Sequence, residues 1–465
     1  VTSIVIIGGG PAGYESALVA ANYGADVTVI DADGIGGACV LWDCVPSKTF
    51  IASTGVRTEV RRAAALGIDL NDEHTEDSMH RVNKRVKDLA YAQSADIRTK
   101  LLEEGVRIIH GRGRLDDSRP GLSHRVRAIS ADGTEETLVA DVVLICTGAS
   151  PRVLPAAEPD GERILNWRHL YDLEQAPEHL VVVGSGVTGA EFVHAYTELG
   201  VKVTMVSSRD RVLPGEDEDA ALVLEEALAE RGVTLVKHAR ADRVERTADG
   251  VLVHLADGRT VEGSHALMTV GSVPNTADLG LENAGLELDN GYLRVDRVSR
   301  TAVPGIYAAG DCTGLLPLAS VAAMQGRIAI YHALGEGVAP IKLKTVSSAI
   351  FTRPEIATVG VSQQAIDAGD YPARTVMLPL STNPRAKMMG LRRGFVKIFC
   401  RPQTGVIIGG VVVSPQASEQ ILPIAIAVQN RLTVGDLAQT LSVYPSLSGS
   451  VIEAARQLVR HDDLD

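Results

Sequence analysis

Two stretches of the chain repeat one hydrophobic pattern. Ile4 to Ile7 is an unbroken apolar run, as expected of a parallel strand buried on both faces, and Gly8-Gly9-Gly10-Pro11-Ala12-Gly13 follows it directly. Tyr14 to Tyr23 then reads as a helix with Gly24 as its C-cap. Ala25 to Ile30 is a second strand, closed by Asp31. The order recurs further on: Leu180 to Val183, the loop Gly184-Ser185-Gly186-Val187-Thr188-Gly189, a helix over Ala190 to Leu199 ended by Gly200, and a strand over Val201 to Val206. Further buried strands lead into turns at Asp141 to Gly148, at Leu267 to Asn275 and at Gly305 to Cys312, and Ala319 to Leu334 is helical. Thr75 to Leu102 is a charged helical stretch with scattered apolar positions. From about Pro340 the texture changes to alternating strands, Phe395 to Phe399 and Gly405 to Val413, and then to helices over Ser418–Gln429 and Leu447–Arg460. The pattern predicts an α/β chain with two Rossmann-like units and a C-terminal α+β domain.

Both loops follow a strand and open a helix, the context that makes Gly-x-Gly-x-x-Gly a dinucleotide fingerprint. In the first, Gly8 permits the tight turn, Gly10 lets backbone approach a pyrophosphate, and Gly13 allows close helix–strand packing. Asp31 stands where a carboxylate accepts ribose hydroxyls. In the second, Gly184, Gly186 and Gly189 take the same places, but the strand ends in Ser207-Ser208-Arg209 with no acid. Two hydroxyls and a guanidinium suit a 2′-phosphate, which favours NADPH over NADH, with Arg211 as an alternative to Arg209. One unit with the acid and one without suggests FAD in the first and the nicotinamide nucleotide in the second. Gly310-Asp311 offers a carboxylate to the sugar-alcohol part of a flavin cofactor. The helix starting at Ala319 would face the isoalloxazine, and Gly37, Gly148 and Gly271 are further cofactor-binding candidates.

Composition narrows the class. A net charge of -13 argues against a nucleic-acid footprint. Five cysteines in 465 residues are not a disulfide scaffold. Cysteines and histidines never reach metal-ligand spacing, so no metal site is expected. The opening Val1 to Ile7 reads as a strand and not a secretion signal, and no apolar run reaches the roughly 20 residues of a membrane span. A soluble cytoplasmic protein is expected.

Gly36-Gly37-Ala38-Cys39-Val40-Leu41-Trp42-Asp43-Cys44-Val45-Pro46-Ser47-Lys48 places two cysteines beside the first nucleotide loop. Near the other end, where a dithiol enzyme wants a histidine base, stands Ser442-Val443-Tyr444-Pro445-Ser446-Leu447-Ser448-Gly449-Ser450. None of the 12 histidines lies between 441 and 450. A buried Tyr444 would be a poor base at neutral pH. Cys146, Cys312 and Cys400 each occur alone in apolar surroundings and read as core.

With these motifs the whole chain resembles the flavoprotein disulfide reductases, the group of lipoamide dehydrogenase, glutathione reductase and mycothione reductase. It looks most like actinobacterial members described as NAD(P)H:quinone reductases, which share the Tyr-Pro-Ser-Leu-Ser-Gly-Ser ending and can lack the first cysteine. The resemblance implies a split FAD domain, 1–150 with 272–340, an NAD(P)H domain over 151–271, and an interface domain over 341–465 that forms a homodimer and lends residues to the partner's site. It places Cys44 beside the flavin, makes Cys39 the interchange thiol, and pairs Lys48 with Glu191 near flavin N5. Ser442, Tyr444 and Gly449 stand where the family writes its first His, its catalytic His and its Glu. The implied reaction passes hydride from NADPH to the flavin and electrons on to a quinone. Two other readings stand: a disulfide reductase working through Cys39 and Cys44 without histidine, and a structural flavoprotein subunit. The dithiol itself reads either as redox-competent or as a packed remnant. Trp42 either shapes an aromatic acceptor pocket or packs at a domain interface.

Overall fold

The computed structural model describes residues 1–69, 79–118 and 123–460. The chain forms two compact units. The first comprises Val1–Thr49, Arg81–Arg152 and Gly271–Ile341; the second comprises Phe50–His80, Val153–Val270 and Lys342–Asp465.

The first unit is built on a seven-stranded sheet. Ile306–Ala308, Val142–Ile145, Ser3–Ile7, Asp26–Asp31 and Arg107–Ser118 run parallel in that order. His124–Ser130 and Glu135–Ala140 extend it as an antiparallel edge. The unbroken apolar runs follow from burial on both faces. Ile4, Ile6, Val27, Val29 and Leu144 fill one core, while Val5, Ile7, Ile30, Val143 and Ile145 fill another. The chain leaves the central strand Ser3–Ile7 toward one edge of the sheet and returns on its other side. The carboxyl ends of Ser3–Ile7 and Val142–Ile145 therefore form a topological switch point, the crevice where ligands of such sheets bind. Helix α1 (Pro11–Asn22) follows the first strand. Helices α2 (Gly37–Leu41) and α3 (Cys44–Arg62) follow the second, and the boundary between the units falls inside α3, after Thr49. Helix α4 (Met79–Glu103) corresponds to the charged stretch expected over Thr75 to Leu102, whose start lies outside the described residues.

The second unit repeats the arrangement. A parallel sheet runs in the order Thr234–Val236, Lys202–Val206, His179–Val183, His265–Met268 and Ile164–Leu165, with α5 (Val187–Glu198) after its central strand. Helix α6 (Glu218–Glu230) begins at Asp217, whose side chain accepts from Ala220 N at 3.1 Å. A three-stranded antiparallel sheet, 241–263, covers one core. The C-terminal part carries a five-stranded antiparallel sheet ordered Ser347–Ile350, Glu355–Gly360, Ile407–Ser414, Phe395–Cys400 and Arg374–Pro379, with Leu422–Asn430 and Gly449–Leu458 among its helices. Among the described residues no helix is long and apolar enough to cross a membrane.

Candidate nucleotide and dithiol sites

The first loop is shaped by approaches that leave no room for a side chain. Gly8 has φ +110, and a Cβ there would lie 2.2 Å from the carbonyl oxygen of Cys146 at the end of the neighbouring strand. A Cβ on Gly13 would lie 1.9 Å from Gly8 O, and one on Gly37 would lie 2.8 Å from Gly10 Cα. The first α-helical bond of α1 runs from Tyr14 N to Gly10 O, so the N–H groups of Ala12 and Gly13 have no acceptor within the helix and stand free for an anion. Asp31 holds this arrangement together. Its Oδ2 accepts from Gly9 N at 2.5 Å, and its Oδ1 accepts from Asp33 N at 2.9 Å and Gly34 N at 2.5 Å. Burial pushes its pKa up, against the pull of these three bonds. A carboxylate offers about four acceptor positions, so roughly one is left for a sugar hydroxyl. Asp31 is thus first a brace for the glycine loop. The cradle fits the pyrophosphate and ribose of a dinucleotide such as FAD.

Three further turns carry the remaining cofactor-binding candidates of this unit. Gly148 O accepts from Asn275 N, while Thr147 and Asn275 exchange two further bonds at 2.6 and 3.0 Å. Gly271 O accepts from Arg152 N at 2.9 Å. Gly310, at φ +83, donates its N–H to the buried Gln325 Oε1 at 3.0 Å, which fixes the turn carrying Asp311. Gln325 belongs to the helix Ala319–Ala333. Burial, with Asp43 adding to it, raises the Asp311 pKa.

Both cysteines are thiols and half-buried: Cys39 in α2, Cys44 as the first residue of α3. Their thiols are hydrogen-bonded, and that bond, with burial, pushes the Cys39 pKa up; Lys48, one turn into α3, pulls it back. Tyr14 of α1 was not singled out in the sequence. It lies beside the pair, and burial, reinforced by Cys39, Glu15 and Cys44, raises its pKa to about 12. Nothing local in the sequence announces this neighbour, because α1 and α2 are brought together by the close approach of Gly37 to Gly10 and not by adjacency along the chain. Cys146, Cys312 and Cys400 are buried.

In the second unit the backbone approaches recur. A Cβ on Gly184 (φ +114) would lie 2.3 Å from Thr269 O, and one on Gly189 would lie 2.2 Å from Gly184 O; one on Gly186 meets nothing within 4 Å. Ser207 is only 3% exposed. Its hydroxyl pairs with Ser185 at 2.7 Å and accepts from Arg209 N at 3.1 Å, so it ties loop to strand end, while Ser208 and Arg209 are exposed. Arg211 instead donates to Pro214 O at 3.3 Å. Glu191 is buried in α5 and accepts from Phe351 N at 2.9 Å. The far end of α5 carries a hub that sequence reasoning missed: Glu198 accepts from Thr54, Thr58 and Arg353 at 3.2, 2.8 and 2.9 Å. Arg231 donates to His194 Nδ1 at 3.0 Å, and burial, helped by Arg231 and Arg353, holds His194 neutral.

Tyr444 departs from expectation. Its side chain is 82% exposed on the chain, and Leu441 beside it is 99% exposed. The segment precedes the helix Gly449–Leu458 without regular structure of its own, anchored where Asn383 Nδ2 donates to Ser446 O at 2.9 Å and Ser450 Oγ at 2.8 Å. Among the described residues no group of three His, Cys, Asp or Glu could hold a metal ion.

Residues 2–326 match the pyridine nucleotide-disulphide oxidoreductase family, and residues 346–455 match its dimerisation domain. The chain belongs to this family. The oxidoreductase is 69% identical over 470 residues to NAD(P)H dehydrogenase (quinone) of Mycobacterium tuberculosis, covering 100% of this chain and 95% of that protein. It is 31% identical over 456 residues to dihydrolipoyl dehydrogenase of Chlorobaculum parvum, covering 97% and 96%. The crystal structure of LpdA from Mycobacterium tuberculosis superposes with a TM-score of 0.95 at 69% identity, over 99% of this chain and 100% of that one. As a member of the family, the oxidoreductase uses FAD as its cofactor and NAD(P)H as co-substrate, and its dimerisation domain makes it a homodimer.

Proposed function

We propose that this oxidoreductase transfers electrons from NADPH to a quinone in the cytoplasm. The observation that carries the reading is the missing base: Ser442, Tyr444 and Gly449 stand where disulfide reductases place their histidines and glutamate. Thiol–disulfide interchange needs a group to activate one thiol and protonate the other, and a phenol is a poor base at neutral pH. A quinone needs neither. The 69% identity to a protein named NAD(P)H dehydrogenase (quinone) supports the same acceptor.

Bound FAD supplies the hydride acceptor and the relay of electrons. The protein supplies placement and field. Gly8, Gly10, Gly13 and Gly37 form the pyrophosphate cradle, Asp31 keeps it closed, and Asp311 takes the sugar-alcohol chain. Lys48 offsets the negative charge that arrives on the cofactor. Gly184, Gly186 and Gly189 receive the nicotinamide nucleotide, with the domains divided as the family implies. The homodimer covers the exposed Leu441 and Tyr444 segment, and water or Tyr444 provides protons to the product.

The test is a parallel assay of NADPH with a substituted naphthoquinone, lipoamide, glutathione disulfide and mycothione, on wild type and on Cys39→Ser/Cys44→Ser. Fast quinone turnover in both proteins, with no disulfide turnover, is the expected result. Disulfide reduction that disappears in the double variant would establish a histidine-free disulfide reductase instead.

The nucleotide preference has its own measurement. Arg209→Ala is expected to raise the KM for NADPH by about tenfold or more, the worth of one charge-assisted bond to phosphate, and to leave the KM for NADH in place. An equal change for both nucleotides would move the 2′-phosphate away from Arg209.

A further inference from the structure

The helix Ala319–Ala333 reaches two parts of the first nucleotide site from adjacent residues. Gly326 closes on α1: a Cβ there would lie 2.5 Å from Ala12 O and 2.3 Å from Ser16 Oγ. Gln325, 1% exposed, reaches the turn that carries Asp311. Its Oε1 accepts from Gly310 N at 3.0 Å, and its Nε2 donates to Thr313 Oγ1 at 3.4 Å. Thr313 Oγ1 donates in turn to Gly310 O at 2.7 Å, and the same oxygen accepts from Thr313 N at 2.9 Å. Gln325, Gly310 and Thr313 thus form a closed ring of hydrogen bonds across the turn. Gly310 lies against both helices, since a Cβ there would stand 3.4 Å from Ala322 Cβ and 3.8 Å from Ala12 Cβ.

The ring needs an amide. Gly310 N can only donate, which assigns the Gln325 oxygen to it and leaves the nitrogen for Thr313. The Thr313 hydroxyl gives its one proton to Gly310 O, so it offers Gln325 only a lone pair. A carboxylate in place of the amide would satisfy Gly310 and repel Thr313. A protonated carboxyl would satisfy both. An apolar side chain would leave the Gly310 N–H buried without a partner.

We propose that Gln325 is a positioning residue for FAD. Through Gly310 and Thr313 it holds the Asp311 turn at a fixed place against α1, so that Asp311 and the free N–H groups of Ala12 and Gly13 meet two parts of one cofactor. This rests on the reading above that Asp311 takes the sugar-alcohol chain.

The experiment follows flavin release from holoenzyme, as the rise in free-flavin fluorescence after dilution into sub-denaturing urea, from pH 5 to 9. Gln325→Leu is expected to release flavin about tenfold faster than wild type at every pH, the effect of one buried donor left unpaired. Burial raises the pKa of a carboxyl. Gln325→Glu is therefore expected to match wild type at the acidic end and to approach Gln325→Leu as pH rises through that raised pKa. The titratable and charged groups on the surrounding elements are Asp311 and Cys312 in the turn, Cys146 after Val142–Ile145, Tyr307 on Ile306–Ala308, Tyr14 and Glu15 on α1, and Arg327, 4.0 Å from Glu15. Burial keeps both cysteines protonated and raises Asp311. All of these are present in wild type, so the rate relative to wild type at the same pH reports the substituted side chain alone. Wild-type release rates in both variants would overturn the role of Gln325. Equal acceleration in both without a pH dependence in Gln325→Glu would overturn the hydrogen-bonded ring and leave packing in its place. If Gln325→Leu does not fold, Gln325→Glu purified at acidic pH carries the test. Asp311→Ala is measured beside them, and wild-type release there would overturn the Asp311 reading whatever the Gln325 variants show.

Discussion

Gly13→Ala is expected to purify with less than about a tenth of the wild-type flavin. The added Cβ would sit 1.9 Å from Gly8 O and 3.0 Å from Gly8 C, both backbone atoms. Gly8 cannot retreat freely, because its N–H donates to Ile30 O at 2.8 Å and its other side is closed by Cys146 O. Helix α1 must therefore move off the loop, taking with it the N–H groups of Ala12 and Gly13 that would meet the pyrophosphate. Overpacking of this kind costs about 1–3 kcal/mol, or roughly 5- to 150-fold in binding. Gly10→Ala is the informative companion. Its Cβ would meet only Gly37 Cα, at 3.9 Å, so the fold accommodates it and any loss of flavin comes from the ligand side. The ratio of flavin to protein absorbance reads both. Full flavin occupancy with an unchanged Tm in Gly13→Ala would show that α1 and the loop are not rigidly coupled.

Features that depend on neighbours in sequence were legible from sequence. The two strand–loop–helix–strand units, their glycines and the strand ends at Asp31 and Ser207 appear where the hydrophobic pattern places them. Features that depend on tertiary approach were not. The pattern says that Gly8 and Gly184 must be small, but not that Cys146 O and Thr269 O are what they must avoid. Helix α3 runs unbroken from Cys44 to Arg62 although Pro46 and a run of Ser and Thr dilute its periodicity. Proline is tolerated in the first turn, where its missing N–H would have had no partner. Ser207 reads as a ligand hydroxyl, yet its burial turns it inward to Ser185. Tyr14 becomes a neighbour of the dithiol only when α1 and α2 are assembled on one sheet. The 82% exposure of Tyr444 is of the same kind, since it depends on what packs around the segment and not on the segment's own residues.

Lys397 is the sharpest case of this kind, and its removal is expected to destabilise the second unit by about 3–5 kcal/mol. In sequence it is the polar centre of the strand Phe395-Val396-Lys397-Ile398-Phe399, and nothing local marks it as buried. In the structure it is 2% exposed. Its ammonium donates to Asp217 Oδ1 and Oδ2 at 3.0 and 2.8 Å and to Asp219 Oδ2 at 2.6 Å. It thereby joins the C-terminal sheet to the first turn of α6. Asp217 is as buried as the lysine, whereas Asp219 is half exposed. Lys397→Ala removes the cation and leaves a buried carboxylate behind, the costly way to break such a pair. Lys397→Met combined with Asp217→Ser removes both buried charges, restores much of the volume and keeps a serine to cap α6, so most of the loss should return. Urea unfolding followed by Trp167 fluorescence, in a Trp42→Phe background, reads this unit alone because the chain has 2 tryptophans and Trp167 is the one within it. A fall in midpoint for Lys397→Ala that the double variant reverses is the expected pattern. If the double variant is as unstable as Lys397→Ala, even though methionine replaces the lysine stem, the ammonium itself stabilises the unit, through Asp219 and the Phe395 ring 5.5 Å away, beyond its pairing with Asp217.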